Sequence, residues 1–490
     1  MRALIKSVFL VGLSSVANTF VSVLRNKLLA VTLGPAGVGL FAQLLGLQSL
    51  AAGVVPLGLQ TAALRYIALY RNQERELLVR YLATSVRAFL WLSVAGTVAC
   101  MIFLHPLTLW ATDSPVYMLM LIPPILGIPF LVQSQAWLTY VQAGLDMRSY
   151  SRALMLTSVL GLVVLAPLVL LWGIKGAAIH LFLFAVLSWA VARWTALRVM
   201  GTETRRAMDA APFDRTALVN LFRFSAANLP PFVLTIVFPF VLRAQIVRDA
   251  GLAENGIYQA LFAISAQYLS IPLSAMTAYS FPRISQLRDL ETINLEVNNA
   301  TRVAVLFSTA GILAILLARD LVIRVLYSDR FMGAVPLFPV QMVGDLMKAV
   351  CYAIQLPMLP QERFRARNIM TFAQYAVFAG VFFGVPAGER LWGAVWGHTA
   401  SWACHLAMLL VYLHRVNRFR FSAENLRLLA SSSAAVVAVA MLPFPSLRMR
   451  FVGLAIAVVW AATSITRREV ERLRDVLRAR MQSAGGDASG

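Results

Sequence analysis

The chain has 490 residues, 59% of them hydrophobic and 13% charged, with a mean hydropathy of +0.73 and a formal net charge of +21. A water-soluble fold of this length has no interior large enough for so much apolar surface, so the composition excludes one. The basic excess first suggests nucleic acid, but the cations sit in short loops between apolar stretches, and no nucleic-acid groove is expected.

In chain order the predicted spans are 4–33, 38–64, 81–104, 115–143, 153–172, 176–197, 219–242, 257–281, 303–325, 334–358, 369–386, 391–413, 428–444 and 451–466. Most approach or exceed the roughly 20 apolar residues that cross a bilayer as a helix. Runs such as Leu154–Leu171 do not alternate, which argues for helices over barrel strands. The expected fold is therefore all-α and polytopic, with about fourteen transmembrane helices. The last two are short, so twelve full spans plus a hairpin is the alternative.

With the N-terminus assigned to the cytoplasm, and cations near a span end counted with the adjoining side, 29 of the 43 Lys and Arg residues fall on the cytoplasmic side, 9 on the opposite side and 5 deeper inside spans. This is the positive-inside bias and predicts that both termini are cytoplasmic. The first apolar run is too long for a signal peptide and lacks a small-residue cleavage site. Cys100, Cys351 and Cys404 all fall within spans at spacings that fit neither a disulfide framework nor a metal site. The segment Arg467–Arg480 reads as a basic amphipathic tail, and Ser483–Gly490 as disordered.

Five positions recur at an offset of 217 or 218: Arg25 with Arg243, Gly34 with Gly251, Gly39 with Gly256, Phe41 with Tyr258, and Arg65 with Arg283. The offset covers six spans, an even number, so the two copies share one membrane orientation. Parallel repeats place a pseudo-twofold axis along the membrane normal, with a substrate site between the halves. The expected units are an N-terminal six-helix bundle (1–200), a cytoplasmic linker (201–218), a C-terminal six-helix bundle (219–416), an extra two-helix hairpin (417–466) and the basic tail (467–490).

Charges inside a bilayer are costly, and each is a candidate functional residue. Arg25, Lys27, Arg87, Arg223 and Lys348 are the candidate cavity cations. Snorkelling to an interface is the plain alternative for Arg25, Lys27, Arg87 and Arg223. Asp345 and Lys348 stand at i and i+3 and share a helix face, either lining the cavity or neutralising one another. Asp345 is the sole acidic residue expected well inside a span. With His398 and His405, seven apart on one face, it is the candidate for ion coupling; packed, hydrogen-bonded histidines are the commoner alternative for those two. Gln43, Gln48, Gln133 and Gln259 suggest either a wet cavity or hydrogen bonds between helices. No phosphate-binding loop, paired-His metal motif or ATPase domain is present, so neither a catalytic residue, a cofactor nor a metal is expected.

The stretch Gly256-Ile257-Tyr258-Gln259, with Ser265, Tyr268, Tyr279 and Pro282-Arg283-Ile284-Ser285 after it, resembles the bacterial lipid-linked oligosaccharide flippases. So do Leu337-Phe338-Pro339 through Asp345-Leu346-Met347-Lys348, and the opening Leu33-Gly34-Pro35 with Gly39-Leu40-Phe41. These are the O-antigen and enterobacterial-common-antigen translocases of the polysaccharide-transporter branch of the MATE-like exporter superfamily. The resemblance spans about 1–416. It implies an inner-membrane protein that moves an undecaprenyl-diphosphate-linked oligosaccharide to the outer leaflet for surface polysaccharide synthesis, with Arg25, Asp345 and Lys348 lining the cavity. Its implied partners are that lipid, membrane lipids and other polysaccharide assembly proteins. A lipid II flippase, a cation-coupled multidrug antiporter of the same fold, and a non-transporting scaffold are the competing readings. The sugar sequence, energy source and oligomeric state are not encoded in any short motif.

Overall fold

A computed structural model describes residues 2–71, 74–226, 229–442 and 447–464. These residues form helices and contain no strand. The basic tail expected from Arg467 onward lies outside them. In chain order the helices are α1 (Arg2–Val54), α2 (Leu59–Tyr70), α3 (Arg75–Ile102), α4 (Leu104–Thr112), α5 (Met118–Leu126), α6 (Ile128–Ala143), α7 (Met147–Val199), α8 (Thr202–Ala210) and α9 (Arg215–Ala226). They continue as α10 (Leu229–Ala250), α11 (Leu252–Gln286), α12 (Leu290–Leu317), α13 (Arg319–Leu326), α14 (Phe338–Ile354), α15 (Phe364–Gly384), α16 (Arg390–Asn417), α17 (Ala423–Met441) and α18 (Leu447–Ser464).

By length and hydropathy alone, six described segments qualify as spans, and the pair α15–α16, turned through 118°, adds a seventh. Two of the six are hairpins of two legs. Within α1, Gly34 takes φ 66°, ψ −174°. Arg25 before it and Leu45 after it line one small cavity, although 20 residues of straight helix would hold them about 30 Å apart. Within α7, Gly173 takes φ 54°, ψ −131°, and a Cβ added to Gly161 would lie 2.7 Å from the Phe184 ring. The segments α9–α10, α11, α17 and α18 fall short of that hydropathy test but are helical. Among the described residues, the fourteen expected spans thus fall largely on helix.

Local chemistry explains where they break. The expected span 38–64 is interrupted at Pro56–Gly58, where Leu57 and Gly58 take φ 50° and 74°. Span 115–143 breaks at Gly127, one turn after Pro123-Pro124. The linker is not extended: α8 packs on α3, buries Met208 and pairs Glu203 with Arg75 at 2.8 Å.

In the N-terminal half α6 and α1 pack against α7, and α3 against α6. In the C-terminal half α14 is the central element, touching α11, α12, α16 and α17, and it buries Phe338, Met342, Asp345, Ala349 and Ile354. The hairpin α17–α18 lies on α12, held by Asn425 Nδ2 to the Asn298 carbonyl (2.8 Å) and by an Arg450–Asp320 ion pair. The halves meet where α1 lies along α11 and α10. Outward faces carry exposed Trp91, Ile102, Leu171 and Phe307, an apolar girdle suited to lipid.

Candidate functional site

The centre of the molecule is a helix crossing built from glycine. A Cβ on Gly39 would strike the Leu252 carbonyl oxygen, and a Cβ on Gly256 would strike the Pro35 carbonyl oxygen. Each contact is the other displaced by the sequence offset of 217. Asn255 Nδ2 donates to the Gly39 carbonyl at 2.9 Å and ties the crossing together. Only residues without a side chain let two backbones approach this closely. The turns leading into the crossing match too: Gly251 takes φ 92°, ψ 171°, close to Gly34.

Two arginines flank this crossing. Arg25, from the first leg of α1, lines a cavity of about 30 Å³ with Asn26, Phe41, Leu45, Gln259 and Tyr327. Arg243, from α10, places its guanidinium 5.6 Å from the Phe262 ring and beside Tyr258. Phe41 and Leu45 around Arg25 correspond by the same offset to Tyr258 and Phe262 around Arg243. In both arginines Nε is buried and has no hydrogen-bond partner among the described residues, and neither arginine has a carboxylate within 4.0 Å there. A guanidinium removed from water without an anion costs several kcal/mol. Planar, forked N–H donors of this kind are matched by phosphate oxygens.

The other candidate cations divide among different tasks. Lys27 Nζ donates to the carbonyls of Arg324 (2.9 Å) and Tyr327 (2.6 Å). It caps the C-terminus of α13, where a cation satisfies unpaired carbonyls, and is not a free cavity charge. Arg87 lines a separate cavity between α3, α6, α7 and α8, away from Arg25. Arg223 is exposed on α9. Lys348 is half-buried, with Nζ 5.8 Å from the centre of the Trp402 ring. Arg65 lies over the Phe224 ring at 4.4 Å, and Arg283 pairs with Glu296 at 3.4 Å.

Asp345 and Lys348 do not form an ion pair. Asp345 is fully buried and is satisfied by other elements. Its Oδ2 accepts from Ser265 Oγ (2.6 Å) and Tyr268 Oη (3.0 Å), and its Oδ1 lies 3.0 Å from His398 Nε2. Gln341 Nε2 donates to Ser265 Oγ at 3.3 Å and extends the network. Buried carboxylates persist only with such donors. His405 does not join this relay. It packs edge-on against Trp402 with ring centres 5.6 Å apart, and its Nδ1 is unpaired.

Sequence reasoning missed Tyr327, Asn255, Ser265, Tyr268 and Gln341 as site residues. Ser265 and Tyr268 at i and i+3 on α11 were the available signal, a polar pair on one face of a span. Three of the four glutamines turn out to join helices. Gln43 donates to Ala111 (2.7 Å), Gln48 to Pro124 and Leu181 (3.0 and 3.2 Å), and Gln133 to Val86 (3.0 Å), all at backbone carbonyls. No group of three or more His, Cys, Asp or Glu suited to a metal occurs among the described residues.

With this geometry in place, solved structures give a consistent answer. The chain superposes on an inward-facing multidrug resistance MATE transporter of the MOP superfamily with a TM-score of 0.68 and 15% identity, covering 82% of this chain and 96% of that one. It superposes on the lipid II flippase MurJ, inward closed, with a TM-score of 0.71 and 11% identity, covering 94% and 98%. The chain shares the fold of these two proteins. A MOP superfamily transporter from Pyrococcus furiosus, described as having a binding pocket of reverse polarity, aligns with a TM-score of 0.61 and 19% identity over 85% of this chain and 97% of that one. In sequence, the lipid III flippases of Escherichia coli (strain K12) and Shigella flexneri are each 25% identical over 413 residues, covering 81% of this chain and 96% of theirs. No protein-family model matches the chain.

Proposed function

We propose that this protein is a flippase that carries an undecaprenyl-diphosphate-linked oligosaccharide from the cytoplasmic to the periplasmic leaflet of a bacterial inner membrane, for surface polysaccharide synthesis. The observation that carries the reading is the pair Arg25 and Arg243, each with a buried, unpaired Nε and no carboxylate beside it. A diphosphate supplies the missing anion for both. Likeness to the lipid III flippases over four-fifths of the chain supports a lipid-linked cargo.

In this reading the bundles 1–200 and 219–416 rock about the glycine crossing of α1 and α11, exposing the arginines to each side in turn. The polyprenyl tail stays in lipid while the sugar head crosses with the diphosphate. Asp345 and His398 form the ion-coupling site: a cation entering beside the Asp345 carboxylate would compete with its contacts to Ser265, Tyr268 and His398 and so change how α11, α14 and α16 are held together. Both termini face the cytoplasm, in keeping with the distribution of Lys and Arg. The protein makes and breaks no covalent bonds in this scheme. A lipid II cargo is the second reading, favoured by superposition on MurJ over 94% of the chain.

The test is complementation of cells lacking a lipid III, O-antigen or lipid II flippase, by the intact chain and by Arg25→Ala and Arg243→Ala at matched membrane levels. Restoration by the intact chain and loss in both variants supports diphosphate recognition. Rescue confined to lipid II-deficient cells moves the cargo to the peptidoglycan precursor. Rescue by all three proteins removes the arginine site.

A further inference from the structure

The cavity that holds Arg87 has no part in the mechanism above. It occupies about 470 Å³ between α3, α6, the second leg of α7 and the linker helix α8. Three cations reach it from three different helices: Arg87 from α3, Arg193 from α7 and Arg205 from α8. None of them has an ion pair among the described residues, although Asp209 also lines the cavity. The Arg193 guanidinium lies 5.6 Å from the centre of the Trp189 ring and 6.0 Å from that of Trp137. Apart from Gln133, whose Nε2 donates to the Val86 carbonyl at 3.0 Å, the rest of the wall is apolar, with Leu90 and Phe130 among its residues.

The position of the cavity selects its ligand. It adjoins the linker helix α8, and Leu90, Trp91 and Trp194 next to it are exposed on the apolar outer surface. Three unpaired arginines above an apolar wall, with tryptophans alongside, match the boundary between acyl chains and headgroups. A site of this size accommodates a phosphate headgroup with its glycerol, which is within the range of small-ligand pockets, roughly 300–1,000 Å³.

We propose that this cavity is a binding site for the phosphate headgroup of an anionic glycerophospholipid of the cytoplasmic leaflet, with Arg87, Arg193 and Arg205 as the phosphate ligands. Occupancy bridges α8 to α3 and α7 and so fastens the linker between the halves to the N-terminal half. Phosphatidylglycerol is the bilayer source of this chemistry; a polyprenyl diphosphate is the other. The site is independent of which cargo the central arginines carry.

The experiment is native mass spectrometry of the full chain in mild detergent, titrated with phosphatidylglycerol, phosphatidylcholine and undecaprenyl diphosphate. The intact protein is expected to hold phosphatidylglycerol at least about fivefold better than phosphatidylcholine, because both carry a phosphodiester but only phosphatidylcholine sets a fixed cation against the three arginines. The triple variant Arg87→Gln, Arg193→Gln, Arg205→Gln is expected to lose that preference. Arg198→Gln removes a cation stacked on Trp194 outside the cavity and is expected to keep it. Asp209→Asn removes the one carboxylate of the lining and is expected to strengthen phosphatidylglycerol binding, which separates a site effect from misfolding. Equal losses in the triple variant and Arg198→Gln would reduce the effect to general surface charge and overturn the proposal. So would displacement of phosphatidylglycerol by substoichiometric undecaprenyl diphosphate, which would give the cavity to the polyprenyl carrier.

Discussion

Gly39 and Gly256 lie against each other's helices so closely that a methyl group on either would enter the backbone of the other. The contact is reciprocal and joins the two halves of the chain at equivalent positions. Gly39→Ala and Gly256→Ala should therefore have similar effects. Each must push the helices apart, at an overpacking cost of about 1–3 kcal/mol. Thermal unfolding of the protein in nanodiscs measures this. A variant that keeps its melting temperature would show that the crossing yields freely. Asn255→Ala, which removes the bond to the Gly39 carbonyl, should destabilise less, by about 1 kcal/mol.

Lys27 and Arg25, two residues apart, should separate cleanly in their effects. Lys27→Met removes two bonds to the α13 terminus and leaves carbonyls unpaired, at a cost of about 1–3 kcal/mol in stability. Once its membrane level is matched, transport should survive. Arg25→Met removes a buried charge with no protein anion, so stability should hold or rise while transport falls by an order of magnitude or more, on the order of 2–5 kcal/mol of lost phosphate contact. Paired unfolding and complementation measurements decide this, and loss of transport at matched levels in Lys27→Met would contradict the division.

Asp345 and His398 should behave as one unit. Either Asp345→Ala or His398→Ala leaves a buried polar group without its partner, and the double variant should be less damaged than the sum of the two. A coupling energy of about 0.5–3 kcal/mol is expected from a double-mutant cycle on unfolding. Additive losses would remove the pair from the proposed coupling scheme. Lys348→Met, by contrast, should show no coupling with Asp345, since the two are not paired.

In the loop before α12, Asp289 caps the helix by accepting from the Thr292 backbone N–H (2.9 Å) and hydroxyl (2.8 Å). These bonds, the backbone one first, hold its carboxyl below the ordinary aspartate value. A depressed acid contributes stability above its unfolded value, and that contribution is lost as pH falls through the folded one. Asp289→Asn should therefore match the intact protein near pH 7 and lose less stability on acidification below about pH 4. Unfolding followed across that range checks the sign, and identical acid sensitivity would exclude a charged cap.

Much of this architecture was legible in the chain. Hydropathy is a local property, and lipid permits no alternative to helix for a long apolar run, so among the described residues the expected spans fall largely on helix. The recurring Arg, Gly and aromatic positions located both the glycine crossing and the two flanking arginines, because a required positive φ and a close backbone approach each admit little besides glycine. The partners of the buried charges depended on tertiary structure. The spacing of Asp345 and Lys348 places them on one face of α14 but says nothing about what packs there. The rotation of that helix against α11 and α16 gave Asp345 to Ser265, Tyr268 and His398 instead. Lys27 reached carbonyls some 300 residues away, and Arg87 opened onto a cavity of its own. A charge in a bilayer must find a partner, but which one is fixed only when helices distant in sequence are packed side by side.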